Sequence, residues 1–189
     1  MRIISGTAKG KRLTTFSGDA IRPTPDKVRG AIFSMLYSRL GPLEGMKVLD
    51  LFAGTGALAI EALSRGAAHA WLVDAGRDAA KVIPTNLSAC GLEDRGTLVR
   101  AESARALNLL EKDKPFDLIF LDPPYGRDLL PNLLRTLAAG HFLAPNGVLC
   151  AETGKNDRLL DTFEPLVRVD ERAYGITRIH LYRYPESEE

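Results

Sequence analysis

The stretch Val48-Leu49-Asp50-Leu51-Phe52-Ala53-Gly54-Thr55-Gly56-Ala57-Leu58-Ala59 decides the fold. An apolar strand runs into a glycine turn and then into the start of a helix. Gly54 and Gly56 let the backbone turn tightly and approach a ligand with no Cβ in the way. A second apolar run, Ala70–Val73, ends at Asp74, 20 residues after Gly54. Strand, glycine turn, helix and a strand closing on an acid form the opening unit of a doubly wound α/β sheet.

The same rhythm continues outward. Apolar runs at Met46–Leu51, Ala70–Val73, Thr97–Val99, Leu118–Leu121 and Val148–Ala151 read as strands. Leu58–Leu63 and Arg77–Leu87 read as the helices between them, which implies parallel βαβ units with right-handed crossovers. Near the end, Leu166–Asp170 and Ile176–Tyr184 flank the turn Ala173-Tyr174-Gly175, predicting an antiparallel hairpin on the parallel sheet. At the other end, Arg2–Ser5 and Arg12–Thr14 read as two short strands around a turn containing Gly6 and Gly10. Thr24 as N-cap, Pro25 as first helical residue and Asp26 in the first turn start a helix. Val28, Ala31, Ile32, Met35, Leu36 and Leu40 continue it until Gly41-Pro42. The chain thus divides into a hairpin and helix over 1–40 and an α/β domain over 41–189.

Composition sets the outer limits. Of 189 residues, 45% are hydrophobic and 26% charged, the proportions of a globular chain rather than a disordered one. No apolar run approaches the roughly 18 residues of a membrane helix, and the start carries no apolar signal region. Cys90 and Cys150 have neither disulfide-framework nor zinc-site spacing. A reduced, cytoplasmic protein without metal or membrane is expected, with a monomer favoured. Net charge is +1, but residues 1–40 hold eight bases against two acids, and the rest 17 bases against 22 acids. A basic arm of net +6 on a body of net −5 is the footprint of contact with phosphates. Its bases include Lys9, Lys11, Arg12, Arg22, Lys27 and Arg29.

The chemistry narrows in two steps. Gly54-x-Gly56-x-x-Ala59 fits a dinucleotide fingerprint, with Asp74 placed for ribose hydroxyls, so an NAD-dependent oxidoreductase is one reading. Asp50, at the strand end, would repel a pyrophosphate but would meet the cationic amino-acid moiety of S-adenosylmethionine. Glu102, shortly after the third strand, is placed to reach an adenine amine. Asp122-Pro123-Pro124-Tyr125 directly follows the buried-strand pattern Asp117–Leu121. Rigid prolines can hold the Asp122 carboxylate and the Pro123 carbonyl outward, two acceptors for the two hydrogens of an exocyclic amine. Tyr125 offers a face on which a base can stack, worth roughly 1–3 kcal/mol.

Asp50–Gly56 together with Asp122-Pro123-Pro124-Tyr125 resembles the S-adenosylmethionine-dependent amino-methyltransferases. Arg2-Ile3-Ile4-Ser5-Gly6, Lys9-Gly10-Lys11-Arg12-Leu13 and Arg22-Pro23-Thr24-Pro25-Asp26-Lys27-Val28-Arg29 narrow the resemblance. With them, the chain is similar from Arg2 to about Tyr184 to the bacterial 16S ribosomal RNA guanine-N2 methyltransferase family. Gly30 stands where that family usually has Glu, and Asp74 where it often has Glu. The resemblance implies a Rossmann-like class I methyltransferase fold, with seven mostly parallel strands and a reversed terminal strand. It implies S-adenosylmethionine bound by Asp50, Phe52, Gly54, Thr55, Gly56, Asp74 and Glu102. Asp122, Pro123 and Tyr125 would be catalytic. The partner would be 16S rRNA or the assembling small ribosomal subunit, met by Lys9, Lys11, Arg12, Arg22, Lys27 and Arg29. Asp-Pro-Pro-Tyr does not itself name the base, so a DNA or protein-amide amino-methyltransferase also stays open. His69, His141 and His180 match no motif position, which points to in-line displacement by a neutral amine rather than prior deprotonation.

Overall fold

Alternating apolar residues on five successive strands can be buried only if helices cover both faces of the sheet, and the computed structural model shows that arrangement. It describes residues 1–16, 25–123 and 129–185. The parallel strands are β1 (Lys47–Asp50), β2 (His69–Val73), β3 (Gly96–Val99), β4 (Phe116–Leu121) and β5 (Leu143–Gly154). The strands β6 (Thr162–Phe163), β7 (Leu166–Tyr174) and β8 (Thr177–Arg183) complete an eight-stranded sheet ordered β3-β2-β1-β4-β5-β8-β7-β6. β8 pairs antiparallel with both β5 and β7. The eighth strand, beyond the seven expected, is the two-residue β6, which pairs only with β7 at the edge.

The helices are α1 (Asp26–Leu40), α2 (Ala57–Ser64), α3 (Arg77–Cys90), α4 (Ser103–Leu109) and α5 (Leu130–Ala139). Strand alternation separates two cores. Val48, Leu72, Phe120 and Cys150 pack with residues of α1, α2 and α3. Leu49, Val73, Ile119, Leu121 and Ala151 pack with α4 and α5 on the opposite face.

Among the boundaries that differ from the sequence reading, four change a turn, a cap or a strand pairing. β5 begins at Leu143, ahead of the expected Val148, because Phe116 pairs with Leu143 before a register shift. The terminal hairpin turns at Gly175-Ile176, with Tyr174 opposite Thr177 and Gly175 at φ +64°. Pro25 is the cap of α1 rather than its first helical residue, and Thr24 lies outside the described residues. The two N-terminal strands reduce to one bridge, Arg2 opposite Arg12. Backbone bonds from Ile3 to the Lys11 carbonyl and from Gly10 to the Ile3 carbonyl, both 2.9 Å, hold that hairpin.

The hairpin is seated on α2. At Gly6, φ +81°, a Cβ would fall 1.7 Å from the Ser64 carbonyl oxygen, so only glycine fits. The buried Glu61 carboxylate accepts the amides of Ile4 and Ser5 at 2.8 and 3.0 Å. Ile3, Ala8 and Leu13 add their side chains to the α1–α3 core.

Candidate active site

The sheet order reverses between β1 and β4, because β2 and β3 extend to one side and β4 and β5 to the other. Ligands of open α/β sheets bind outside the strand carboxyl ends at such a switch point. Asp50 ends β1, and Asp122 follows directly after β4.

Between β1 and α2 the glycine loop forms a cradle. Gly54 (φ +55°) and Gly56 (φ +82°) are both left-handed. At Gly56 a Cβ would stand 3.0 Å from Ile60 and Leu72 side chains, so crowding and φ both select glycine there. The Ala53 amide donates to the Val73 carbonyl at 2.9 Å, holding the loop against the end of β2. Asp74 fastens it from the side: Oδ2 accepts the Gly54 amide at 2.9 Å, and Oδ1 accepts the Gly76 amide at 2.7 Å. A carboxylate has about four lone-pair sites, so Asp74 keeps capacity for ribose hydroxyls. Phe52 and Thr55 are both half-buried in this loop. Glu102 is exposed at the start of α4, with no side-chain capping bond.

Asp50 is 1% exposed, and burial raises its carboxyl to about 7, with repulsion from Asp74 adding to the effect. The Phe52 amide, at 3.4 Å, opposes that rise. Burial also pushes Asp122 well above the carboxylate range, with Glu152 and then Asp50 adding repulsion. A cationic guest would favour the charged form of these buried carboxyls, and a pyrophosphate would oppose it. The glycine cradle, Asp74 at its side and Asp50 at its base fit S-adenosylmethionine, which carries a ribose and a cationic amino-acid end. They do not fit NAD.

Residues 1–183 match the family described as Conserved hypothetical protein 95. The chain belongs to that family. It is 38% identical over 185 residues to the "Putative rRNA methyltransferase YlbH" of Bacillus subtilis, spanning 97% of this chain and 98% of that one. It is 31% identical to the "Ribosomal RNA small subunit methyltransferase D" of Haemophilus influenzae, spanning 97% and 93%. Among solved structures, "Putative methyltransferase yhhF from Escherichia coli" superposes with a TM-score of 0.83 at 30% identity, covering 97% of each chain.

The expected site residues fall into three groups, with Arg29 apart from all of them. Asp50, Phe52, Gly54, Thr55, Gly56, Asp74, Glu102, Asp122 and Pro123 gather along the carboxyl edge of β1–β4. Lys9, Lys11, Arg12 and Lys27 are exposed on the hairpin and at the start of α1. Arg22 and Tyr125, with Pro124, lie outside the described residues. Arg29 departs from its expected role as a phosphate contact. Its side chain is 0% exposed, and its guanidinium donates to the Arg2 carbonyl and, at 3.1 Å, to Asp26. Arg29 therefore ties the hairpin to α1 and has no surface to offer a phosphate. The sequence contained the signal: Arg29 precedes Ile32, Phe33 and Leu36 by three, four and seven residues, on the buried face of the helix.

Two contributors escaped the motif reading. Asn86, 0% exposed on α3, accepts the Thr14 amide at 2.8 Å and donates to the carbonyls of Thr14 and Thr55 at 3.0 and 2.9 Å. It thereby joins the N-terminal arm to the glycine loop. Glu152, near the end of β5, is the second.

Proposed function

We propose that this protein transfers a methyl group from S-adenosylmethionine to the N2 amine of a guanine in 16S rRNA, free or in an assembling small subunit. The observation that carries the reading is the placement of Asp50 and Asp122 at the carboxyl ends of the adjacent strands β1 and β4, beside the glycine cradle. One carboxylate serves the cofactor's ammonium group and the other the target amine. The relatives named as rRNA methyltransferases support the choice of RNA, and the basic hairpin is consistent with it.

S-adenosylmethionine supplies an electrophilic methyl group on a sulfonium. The protein's own residues do the rest. The guanine N2 lone pair is delocalised into the ring, so its attack on the methyl carbon needs alignment above all. Holding two reactants in line contributes on the order of 7–11 kcal/mol. Asp122 and the Pro123 carbonyl accept the two N2 hydrogens, and their negative potential stabilises the positive charge that grows on nitrogen. As the new C–N bond forms, the electrons of the C–S bond return to sulfur, and N2 holds one proton too many. In its ionised form Asp122 is placed to take that proton and pass it to water. The target base leaves its stack to enter, and Tyr125 is proposed to receive it. Lys9, Lys11, Arg12, Lys27 and Arg22 are proposed to hold the RNA backbone.

Mass mapping of 16S rRNA from cells lacking the protein tests the reading. One guanine should lose 14 Da and regain it when purified protein and S-adenosylmethionine are added. An unchanged map would overturn it.

A further inference from the structure

Glu152 stands one strand beyond Asp122, and no step above uses it. β4 and β5 are parallel with Leu121 opposite Ala151, so Glu152 is level with Asp122. Phe120 and Cys150, two positions earlier on each strand, pack in the same core. Side chains alternate along a strand, so Asp122 and Glu152 share that face. Asp50, two positions after Val48, shares it too. Asp50, Asp122 and Glu152 therefore form a row across β1, β4 and β5 at the site's edge.

The third acid is almost fully buried next to the second. Glu152 is 6% exposed and follows the apolar run Val148–Ala151. Its Oε1 accepts the Thr177 hydroxyl at 3.4 Å, a long bond. Burying a carboxylate beside a second one is costly, and Glu152 adds its repulsion to the burial that raises Asp122; Cys150 is pushed up by burial and, after it, by the same acids.

We propose that Glu152 selects guanine, its carboxylate accepting the N1–H of the target base while Asp122 and the Pro123 carbonyl hold the N2 hydrogens. The inference rests on the guanine-N2 reading above. Guanine presents N1–H beside its amine, a continuous row of donors. Adenine presents an unprotonated N1 beside its amine, and cytosine an unprotonated N3. A carboxylate is acceptor only when ionised, so it pairs with the first edge and repels the other two. Neighbouring strands lie about 4.8 Å apart, which lets one base edge span acceptors on both. A site built around a hydrogen bond rejects analogues lacking the partner far better than an apolar pocket rejects by shape.

2-Aminopurine separates the two contacts, because it keeps the 2-amino group and lacks N1–H. Small subunits reassembled with 16S rRNA bearing guanine or 2-aminopurine at the mapped position are the probes. Wild-type protein should prefer guanine in kcat/KM by about 10- to 100-fold, the contribution of a hydrogen bond to a charged group. Glu152→Gln should lose most of that preference, mainly through the guanine substrate, while its affinity for S-adenosylhomocysteine stays unchanged. Equal wild-type activity on both probes overturns the proposal without any variant. So does a Glu152→Gln protein that slows both probes equally. A wild-type protein inactive on every 16S guanine, yet still binding S-adenosylhomocysteine, overturns the underlying reading instead.

Discussion

The Gly54 amide donates to Asp74 Oδ2 at 2.9 Å, joining the cofactor loop to the end of β2 across 20 residues of sequence. The carboxylate proposed to meet the ribose thus also shapes the cradle, since its other oxygen holds the Gly76 amide. Asp74→Ala removes both functions. Hydrogen bonds to a charged group contribute about 1.5–3 kcal/mol, so S-adenosylhomocysteine affinity should fall about 10- to 100-fold. Asp74→Asn, with one acceptor oxygen left, should fall between. Titration calorimetry measures all three proteins, and wild-type affinity in Asp74→Ala would refute the assignment.

Asp50 makes stability and cofactor binding respond oppositely to pH. Its carboxyl sits near 7 in the fold against an ordinary 3.8. Between those values the folded protein holds a proton that the unfolded chain has released, so stability falls as pH rises through that window. Asp50→Asn should therefore melt higher than wild type at pH 8 and nearly alike at pH 4. Affinity runs the other way, because a cationic amino-acid end needs the ionised carboxylate. Wild-type affinity should weaken below about pH 7, and Asp50→Asn should bind poorly throughout. Melting curves and calorimetry at four pH values check both signs.

How much of this was readable in the sequence follows from the range of each cause. The glycine loop, Asp50 and Asp74 act through local backbone geometry and strand ends, which residue order displays. Burial is a tertiary property, and charge counting does not see it. That is why Arg29 looked like a phosphate contact, although its helical spacing placed it on the packed face. Asn86 and Glu61 work by long-range bonds, from α3 to Thr14 and from α2 to Ile4 and Ser5, which no motif announces. Glu152 became visible only when register set it beside Asp122. The two-residue strand β6 is too short to leave a period.

Asp122 should separate turnover from cofactor binding. Its proposed contacts are with the target amine, so Asp122→Ala should abolish methylation while S-adenosylhomocysteine affinity holds. Asp122→Asn keeps an acceptor oxygen without the charge and should retain measurable activity. Full activity in Asp122→Ala would remove Asp122 from the mechanism.

Asn86 should behave as a keystone of the fold. Asn86→Ala deletes three bonds and strands the Thr14 amide and the Thr55 carbonyl, costing about 2–4 kcal/mol at ordinary hydrogen-bond values. Asn86→Asp keeps the acceptor for Thr14 but sets a buried carboxyl against two carbonyl oxygens, so it should be at least as destabilising. Urea midpoints establish the order; a fully stable Asn86→Ala would mean that the arm needs no tether.

Among the described cations proposed to meet RNA, Lys9, Lys11, Arg12 and Lys27 are exposed and Arg29 is buried. Lys9, Lys11 and Arg12 are exposed on a hairpin whose backbone is fixed to α2, so their removal should leave the fold intact. Every phosphate that the arm no longer neutralises should lower the slope of log K against log salt by about 0.7–0.9. The triple Lys9→Ala, Lys11→Ala, Arg12→Ala variant should accordingly bind 16S rRNA more weakly, with a slope reduced by about 2–3. Cofactor affinity and melting temperature should not change. The weakening should be alike on unrelated RNA sequences, because phosphate contacts position a nucleic acid without reading its bases. Arg29→Ala supplies the contrast. It removes a fully buried guanidinium that holds the Arg2 carbonyl and Asp26, so melting temperature should drop, and any weakening of RNA binding should follow from the loosened hairpin. Unchanged RNA affinity and salt slope in the triple variant would make these three cations a solvated face and move the RNA interface elsewhere.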